Sequence, residues 1–186
     1  MATAGIVLAA GGGTRFTGPG HKLRADVAGA PVVARALDAL VASGLELLAV
    51  VTGSVVIDDL VPAGVTIVPN PAWETGQASS LAAGIRWARD GGADAVVIGL
   101  GDQPGVRPES WRAVASETAT PIAIATYDGR RGHPVRIHRD LWERLPADGD
   151  AGARALIGAS PDLVTEVRCD GDPFDVDTVE DLARWS

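Results

Sequence analysis

The stretch Leu8–Leu23, LAAGGGTRFTGPGHKL, decides how the rest of this 186-residue chain is interpreted. It follows a short apolar run, Ile6–Leu8, of the kind that forms the first strand of a buried sheet. Three consecutive glycines from Gly11 let the backbone turn sharply and leave its N–H groups uncovered by side chains. Arg15 and Lys22 add two cations beyond the glycines. The stretch therefore predicts a site for a polyphosphate, which needs backbone donors together with positive side chains.

Two familiar glycine motifs do not fit this loop. The dinucleotide fingerprint requires a third glycine at a fixed offset, but the chain has Phe16 after Gly11 and Gly13. The Walker motif requires Gly-Lys followed by Ser or Thr, whereas the chain has Gly20-His21-Lys22-Leu23. A nicotinamide oxidoreductase is therefore disfavoured. The loop is predicted to bind phosphate in another manner, and a merely flexible strand-to-helix connection stays open as the alternative.

Apolar runs of strand length alternate with helical patterns along the chain. Helical spacing follows Pro31, which suits the first position of a helix, and recurs over Gln77–Arg89 and after Pro108. The predicted strands are Ile6–Leu8, Leu45–Val51, Val65–Val68, Ala95–Ile98 and Pro121–Thr126. This alternation favours an α/β protein with three layers, α/β/α, around a mostly parallel central sheet. No linker or repeat divides the chain, so a single domain over residues 1–186 is predicted, with ligands beyond the carboxyl ends of the strands.

The composition is that of a folded acidic protein, with 46% hydrophobic residues, 22% charged residues and a net charge of −8. This charge disfavours a broad nucleic-acid surface, which needs a basic stripe. No apolar run is long enough to cross a bilayer, and the single cysteine, Cys169, excludes an internal disulfide. A cytoplasmic protein without nucleic-acid or membrane partners is predicted. Lys22 is the only lysine among 16 basic residues, which indicates that a compact point charge is required in the loop.

Carboxylates follow two of the apolar segments. Asp102 comes directly after Val96–Leu100, where it can hold Mg²⁺ against phosphate oxygens, although a plain turn residue is the alternative. In Phe174–Asp177 apolar and acidic residues alternate, which predicts a strand with both carboxylates on one face. Thr178–Asp181 then has the pattern of a capping box that opens a last helix.

Other polar groups allow a structural and a functional interpretation. Ser79 and Ser80 lie in the first turn of the predicted Gln77 helix, where hydroxyls can face a ligand or cap the helix. The segment with Arg130, Arg131 and His133 can contact an anionic second substrate or form a solvated turn with a structural histidine.

The segment Gly149–Leu156 is predicted to contain a short helix, and it too allows a structural and a functional interpretation. Asp150 is predicted to cap this helix, which leaves Arg154 one turn on along the same flank.

Several of these motifs together resemble one family. L-A-A-G-G-G-T-R-F followed by G-x-K-L resembles the signature loop of the MobA-like nucleotidyltransferases. Ala9-Ala10-Gly11 is closer to the molybdenum-cofactor cytidylyltransferases than to the guanylyltransferases, which tend to have Ala-Gly-Gly. N-P-x-W-x-x-G-x-x-S-S-L from Asn70 resembles the cytidylyltransferase segment that lines the base, and L-G-D-Q-P resembles the family's metal motif. The family loop is shorter than the present one between Arg15 and Lys22.

The resemblance implies a Rossmann-like nucleotidyltransferase fold and a set of site residues. The nucleotide would be bound by Leu8, Ala9, Ala10, Gly11, Gly12, Gly13, Thr14, Arg15, Lys22, Thr52, Ser79, Ser80 and Asp102, of which Arg15, Lys22 and Asp102 would be catalytic. The acceptor would be bound by Gln103, His133, Asp150 and Arg154, the last three through the G-H-P-V and G-D-x-G-A-R motifs. Mg²⁺ would be held by Asp102 and Asp177, the latter through D-x-D-T-x-E-D-L.

The reaction implied by the resemblance is transfer of CMP from CTP to the phosphate of molybdopterin, with release of pyrophosphate. The acceptor's own phosphate would attack in line, so no protein nucleophile is needed. The finished molybdenum cofactor would pass to a molybdenum hydroxylase in a transient complex. Two rivals stay open: a guanylyltransferase of the same family acting on molybdopterin or phospholactate, and a non-catalytic nucleotide-binding or cofactor-delivery module.

Overall fold

The apolar runs of the sequence form the strands of the sheet in the computed structural model, which describes residues 2–185. In chain order the strands and α-helices are β1 (Thr3–Ala9), β2 (Asp26–Val27), β3 (Ala30–Pro31), α1 (Val32–Ala42), β4 (Leu47–Thr52), β5 (Thr66–Pro69), α2 (Gln77–Asp90), β6 (Ala95–Leu100), β7 (Gly105–Val106), α3 (Pro108–Ser116), β8 (Ile122–Tyr127), β9 (Arg130–His138), α4 (Ala153–Ala159), β10 (Val164–Arg168) and β11 (Gly171–Asp172). Short 3-10 helices cover Lys22–Arg24, Asp58–Leu60, Trp73–Thr75, Arg139–Arg144, Pro161–Leu163 and Glu180–Trp185.

Seven strands form the central sheet, in the order β10-β8-β9-β6-β1-β4-β5. β1 is parallel to both of its neighbours, with Ile6 opposite Ala49 on β4 and Ile98 on β6. The β4–β5 and β8–β10 pairs are also parallel, whereas β9 is antiparallel to β6 and to β8. The prediction of a mostly parallel sheet in a single α/β domain is confirmed.

Helices cover both faces of this sheet. α1 and α3 pack on one face through Leu37, Leu40 and Trp111, and α2 and α4 pack on the other through Leu81 and Leu156. Since both faces of the sheet are covered, its central strand has no solvent side, and six of the seven residues of β1 are buried. This is the physical reason that β1 reads as a continuous apolar run.

The parallel strands bring three loops to one edge of the sheet. β1, β4 and β6 run in the same direction, so the glycine loop after Ala9, the turn after Thr52 and Asp102 after Leu100 lie beside one another. The Gly101 amide donates to the Leu8 carbonyl at 2.9 Å, which holds the start of the Asp102 turn against β1.

Two helix starts differ from the sequence-based expectation. Pro31 precedes α1 with an extended ψ of 143°, because it still belongs to the β2–β3 hairpin, and the helix begins at Val32. Asp150 does not cap α4, which begins after Gly152 without any side-chain cap. The reason is that the preceding residue, Gly149, is tied to another element: its carbonyl accepts from Ala78 and its amide donates to Thr75.

The C-terminal segment also differs in form. Phe174–Asp177 is not a strand, although its alternation is preserved because Val176 is fully buried between two carboxylates that face the site. The capping box is confirmed: the Asp181 carboxylate accepts from the Thr178 amide at 2.7 Å and Thr178 Oγ1 accepts from the Asp181 amide at 3.4 Å. The helix that follows is of the 3-10 type. Among residues 2–185, no helix has both the length and the apolar character needed to span a membrane.

Candidate active site

The glycine loop presents a row of unpaired backbone donors. The amides of residues 12–15 donate to no acceptor within the described residues 2–185. The loop turns at Gly13, whose φ of +59° lies in the left-handed region, and the Phe16 amide closes this turn on the Gly13 carbonyl at 2.9 Å. Consecutive amides without side chains form a concavity suited to an anion.

Lys22 lies beside this loop, between two carboxylates. Its Nζ donates to Asp102 Oδ2 at 2.6 Å and to Asp177 Oδ1 at 2.9 Å. Arg15 approaches the other oxygen of Asp177 at 2.9 Å. The Lys22 side chain is only 11% exposed whereas that of Arg15 is 74% exposed, so the lysine is held in the site and the arginine extends from its solvent side.

The charge of Lys22 is stabilised in this position. Burial opposes the charged ammonium, but the charges and hydrogen bonds of Asp102 and Asp177 outweigh burial, so the pKa of Lys22 is raised. Lys22 is therefore a permanent cation over the physiological pH range.

Asp177 reaches the site because the C-terminal segment is fastened to the sheet edge. The Val176 amide donates to the Asp102 carbonyl at 2.8 Å, and the Val176 side chain packs with Val27 and Val32. Gln103 Nε2 donates to the Pro173 carbonyl at 2.9 Å and to Asp175 Oδ1 at 2.7 Å. These contacts align Asp177 with Asp102 although the two residues are far apart in sequence.

Asp102 and Asp177 have the chemistry of a hard-cation site. One oxygen of each carboxylate lies within 2.9 Å of a single atom, Lys22 Nζ, so the two carboxylates lie close to each other with the ammonium between these oxygens. Mg²⁺ is commonly bound by one or two carboxylates together with phosphate oxygens and water, and these two residues fit that donor set. Among residues 2–185 no group of three or more His, Cys, Asp or Glu side chains forms a metal site by itself.

Two adjoining cavities open at this edge of the sheet. The smaller, of about 220 Å³, is lined by Leu8, Ala9, Gly11, Gly13, Thr14, Arg15, Lys22, Leu23, Asp102 and Asp177. The larger, of about 1390 Å³, shares Leu8, Arg15 and Asp177 with the first. It has apolar walls from residues such as Leu81 and Ile124, and several arginines at its surface. The arrangement offers a polyanion site joined to a wider space for a second substrate.

Three of the four predicted acceptor residues, Gln103, His133 and Arg154, line the larger cavity, and Asp150 does not. Burial lowers the pKa of His133 to about 4, an effect that Asp102 partly offsets and Arg154 reinforces. His133 is therefore neutral near pH 7 and can contact an anion only as a hydrogen-bond donor. Arg154 Nη2 donates to the Asp150 carbonyl at 3.3 Å.

Residues 5–164 match the family model described as the MobA-like NTP transferase domain. The chain belongs to this family. Asp177 lies beyond the matched residues.

Individual proteins and solved structures are also similar to this chain. The purine catabolism protein PucB of Bacillus subtilis (strain 168) is 30% identical over 112 residues; the match covers 58% of the present chain and 55% of PucB, about half of that relative's length. The crystal structure of Rv0371c from Mycobacterium tuberculosis H37Rv superimposes with a TM-score of 0.84 at 29% identity over 98% of this chain and 96% of that one. A structure of the same mycobacterial protein is a complex with manganese, with a TM-score of 0.77 at 28% identity over 100% and 98% of the two chains. A nucleotidyl transferase from Methanothermobacter, 23% identical with a TM-score of 0.85 over 98% and 95%, shares the fold.

Five predicted nucleotide residues line neither cavity: Ala10, Gly12, Thr52, Ser79 and Ser80. Ala10 and Gly12 belong to the glycine loop itself. Ser79 and Ser80 both accept from Asn70 Nδ2, at 2.9 and 3.0 Å, and Ser79 Oγ donates to the Gly76 carbonyl at 2.8 Å. Thr52 is buried at the end of β4. In this MobA-like transferase the two serines hold Asn70 and the start of α2 together. Direct contact with nucleotide stays a prediction for these residues, as it does for the other predicted nucleotide residues.

Sequence reasoning missed some residues that shape the site. Asp175 approaches Gln103 and burial raises its pKa, as do the neighbouring charges of Asp102 and Asp177. His21 and Ser54 both contact the Gly11 carbonyl. The alternation around Asp177 pointed to Asp175, but no local pattern connects Ser54 with a loop 43 residues earlier.

Proposed function

We propose that this MobA-like NTP transferase transfers CMP from CTP to the phosphate of molybdopterin and releases pyrophosphate. The observation that carries the proposal is the position of Lys22 between Asp102 and Asp177, next to the unpaired amides of residues 12–15. These groups offer the donors and the carboxylates that a triphosphate and a divalent cation require.

The bond changes need no protein nucleophile. An oxygen of the acceptor phosphate attacks the α-phosphorus of CTP in line, and the bond between the α-phosphorus and the bridging oxygen breaks as pyrophosphate leaves. The loop amides, Lys22 and Arg15 stabilise the charge that develops on the transferred phosphoryl group and the leaving group. The substrates are held in place by the two adjoining cavities.

Mg²⁺ is the proposed cofactor, held by Asp102 and Asp177. When bound it would neutralise phosphate charge and orient the reacting oxygens. The manganese complex of the mycobacterial relative supports a divalent cation in a protein of this fold and sequence group.

Cytidine rather than guanosine is proposed because of two sequence features. Ala9-Ala10-Gly11 and the Asn70-Pro71-Ala72-Trp73 segment resemble the cytidylyltransferases. The two segments lie together in the structure, since a Cβ on Gly12 would be 3.0 Å from Trp73 Cζ3. The segment that resembles the base-lining motif is therefore adjacent to the phosphate loop.

The proposal also names the site of the acceptor and the protein that receives the product. We assign the larger cavity to molybdopterin, with Gln103, His133 and Arg154 on its wall and Asp150 behind Arg154. The product would pass to a molybdenum hydroxylase in a transient complex; PucB is named for purine catabolism, so a purine hydroxylase is the first partner to test. We place this activity in the cytoplasm and in residues 1–186 acting as one domain.

The decisive experiment measures pyrophosphate release with molybdopterin, Mg²⁺ and each of CTP, GTP, ATP and UTP. The proposal expects CTP to be used at least tenfold more efficiently than the others. A clear preference for GTP would replace the cytidylyl assignment with a guanylyltransferase. Binding of CTP without pyrophosphate release for any acceptor would identify a non-catalytic module. The Asp102→Ala variant, prepared in parallel, controls for contaminating activity.

A further inference from the structure

The imidazole of His21 contacts both ends of the phosphate loop. Its Nε2 lies 3.1 Å from the carbonyl oxygen of Gly11, where the loop begins. Its Nδ1 accepts from the Leu23 amide at 3.2 Å, at the start of the 3-10 turn that carries Lys22. One side chain thus joins the glycine segment to the catalytic lysine's turn.

These two contacts require one particular form of the ring. Because the Leu23 amide is a donor, Nδ1 must carry a lone pair, and the proton must be on Nε2, where it can be donated to the Gly11 carbonyl. Burial lowers the pKa of His21, as does the charge of Lys22, while the hydrogen bond with Gly11 acts in the opposite direction. The neutral ring that the geometry requires is therefore the form present near pH 7.

Ser54 completes the attachment on the far side of the loop. Its Oγ donates to the same Gly11 carbonyl at 2.7 Å, and its backbone amide donates to the Ala10 carbonyl at 3.1 Å. Ser54 Oγ is also 3.4 Å from His21 Nε2. The Gly11 carbonyl is consequently fixed from two directions, by the segment after β4 and by the segment before Lys22.

The ring also occupies the space next to Gly13. A Cβ built on Gly13 would be 3.0 Å from His21 Nε2 and 3.3 Å from Lys22 Cγ. With a φ of +59°, Gly13 turns the backbone so that His21 can lie against it. The tightest bend of the loop therefore packs against the same ring that holds its first carbonyl.

We infer that His21 is a positioning residue that couples the anion-binding amides of residues 12–15 to Lys22. The inference rests on the proposed function, because it assigns to those amides and to Lys22 the binding of one polyphosphate. The ring donates a hydrogen bond to the Gly11 carbonyl and accepts one from the Leu23 amide. A side chain that preserves only one of these two bonds therefore no longer connects the loop to the lysine. The segment Arg15–His21 can be long because the His21 ring, at its C-terminal end, is bonded to the Gly11 carbonyl.

Two substitutions separate the two bonds. In His21→Asn the amide oxygen takes the place of Nδ1 and can accept from Leu23, but the side chain is too short to reach Gly11. In His21→Gln the terminal NH₂ can reach Gly11 in place of Nε2, but the acceptor next to Leu23 is lost. His138 provides a matched control, because it precedes the 3-10 helix Arg139–Arg144 and its Nδ1 accepts from the Asp140 amide in the same manner, without contacting the loop.

The first measurement is amide hydrogen exchange of the whole protein, followed by NMR. His21→Ala is expected to accelerate exchange at Phe16 and Ser54 on the loop side and at Leu23–Ala25 on the turn side. His21→Asn should restore protection on the turn side only, His21→Gln should restore it on the loop side only, and His138→Asn should leave both sides as in the wild type. Full protection of Phe16 and Ser54 in His21→Asn or in His21→Ala would overturn the coupling. This outcome does not depend on any catalytic activity, so it distinguishes failure of the coupling from failure of the proposed function.

The second measurement is steady-state pyrophosphate release. His21→Ala and His21→Asn are each expected to lower kcat/KM for CTP at least tenfold, while KM for molybdopterin stays within twofold of the wild type. Recovery of wild-type kcat/KM in His21→Asn would show that the ring only caps the Lys22 turn and would overturn the inference. An equal rise in KM for both substrates would do the same.

Discussion

Lys22 contacts two carboxylates that are 80 and 155 residues away along the chain. The 11% exposure of its side chain and its raised pKa make it a fixed positive charge next to the loop amides. A charge fixed before the substrate arrives stabilises a transition state without reorganisation during the reaction. The same residue aligns the two carboxylates, so its removal affects both halves of the site.

The first prediction concerns Lys22 and Asp102. Lys22→Ala and Asp102→Ala are each expected to lower kcat by about 10²–10³-fold, as for the loss of one preorganised transition-state group. The measurement is pyrophosphate release at saturating CTP, with melting temperature as the check on folding. Arg139→Ala, which removes an exposed ion pair with Asp94, serves as the control and should retain full activity. A folded Lys22→Ala protein with wild-type kcat would remove Lys22 from the mechanism.

The second prediction concerns the pH dependence of stability. The pKa of His133 is about 4 in the folded protein and close to 6.5 when unfolded, so the unfolded chain binds the extra proton first as the pH falls. The stabilising effect of the neutral ring is complete above pH 6.5 and is lost as the pH falls towards 4. Between pH 7 and pH 5 the free energy of unfolding should fall by about 1–2 kcal/mol because of this group. Urea unfolding of His133→Asn should show a correspondingly smaller fall, and equal falls for both proteins would contradict the argument.

At the scale of elements, the helices are fitted to the sheet by close contacts at small residues. α3 packs over β6 by placing the fully buried Trp111 above Gly99: a Cβ on Gly99 would lie within 2.7 Å of two Trp111 ring atoms. Gly84 on α2 similarly allows Ile6 of β1 to approach the helix. The depth at which α3 packs, and with it the position of the Asp102 turn that precedes α3, depends on this contact.

The third prediction tests the α3 contact with two glycine-to-alanine changes. Gly99→Ala should lower the free energy of unfolding by about 1–3 kcal/mol, because the new methyl group displaces Trp111 in a packed core. Gly158→Ala, on α4 with open space around it, should raise this free energy by about 0.5–1 kcal/mol through helix propensity. Urea unfolding of both variants measures the difference. A Gly99→Ala protein as stable as the wild type would show that Trp111 does not set the packing.

At the scale of the whole molecule, the N-terminal and C-terminal parts of the chain meet at the candidate active site. The segment after β10 returns to the sheet edge, where the buried Val176 and the Gln103 amide place Asp177 opposite Asp102. The net charge of −8 opposes binding of a polyanion, so the local cations and the proposed divalent cation must outweigh it. Because Asp102 and Asp177 come from distant segments, a metal and nucleotide that bind both residues should stabilise the folded chain as well as the site.

The fourth prediction tests this linkage by thermal unfolding with CTP and Mn²⁺ or Mg²⁺. At about 100 times Kd, binding should stabilise the protein by about 2.7 kcal/mol, which corresponds to a rise in melting temperature of about 5–10 °C. Asp177→Asn should lose most of this rise, because one of the two carboxylates is removed. Asp140→Asn, which changes an exposed carboxylate, should retain it. A full rise in Asp177→Asn would exclude this residue as a metal ligand.

The sequence by itself determined the layers of this protein and the composition of its phosphate loop. Continuous apolar runs such as that of β1, separated by helical periodicity, specify buried parallel strands, and Gly11–Gly13 with Lys22 predict an anion site, because both signals depend on neighbouring residues. Only the tertiary structure decided which distant groups meet there. It placed His21 and Ser54 on the Gly11 carbonyl and directed the hydroxyls of Ser79 and Ser80 to Asn70. It also brought Asp177 next to Asp102, two residues that the sequence paired only through the family resemblance. These pairings depend on strand order and on the return of the C-terminal segment, and no local spacing in the sequence records either of them.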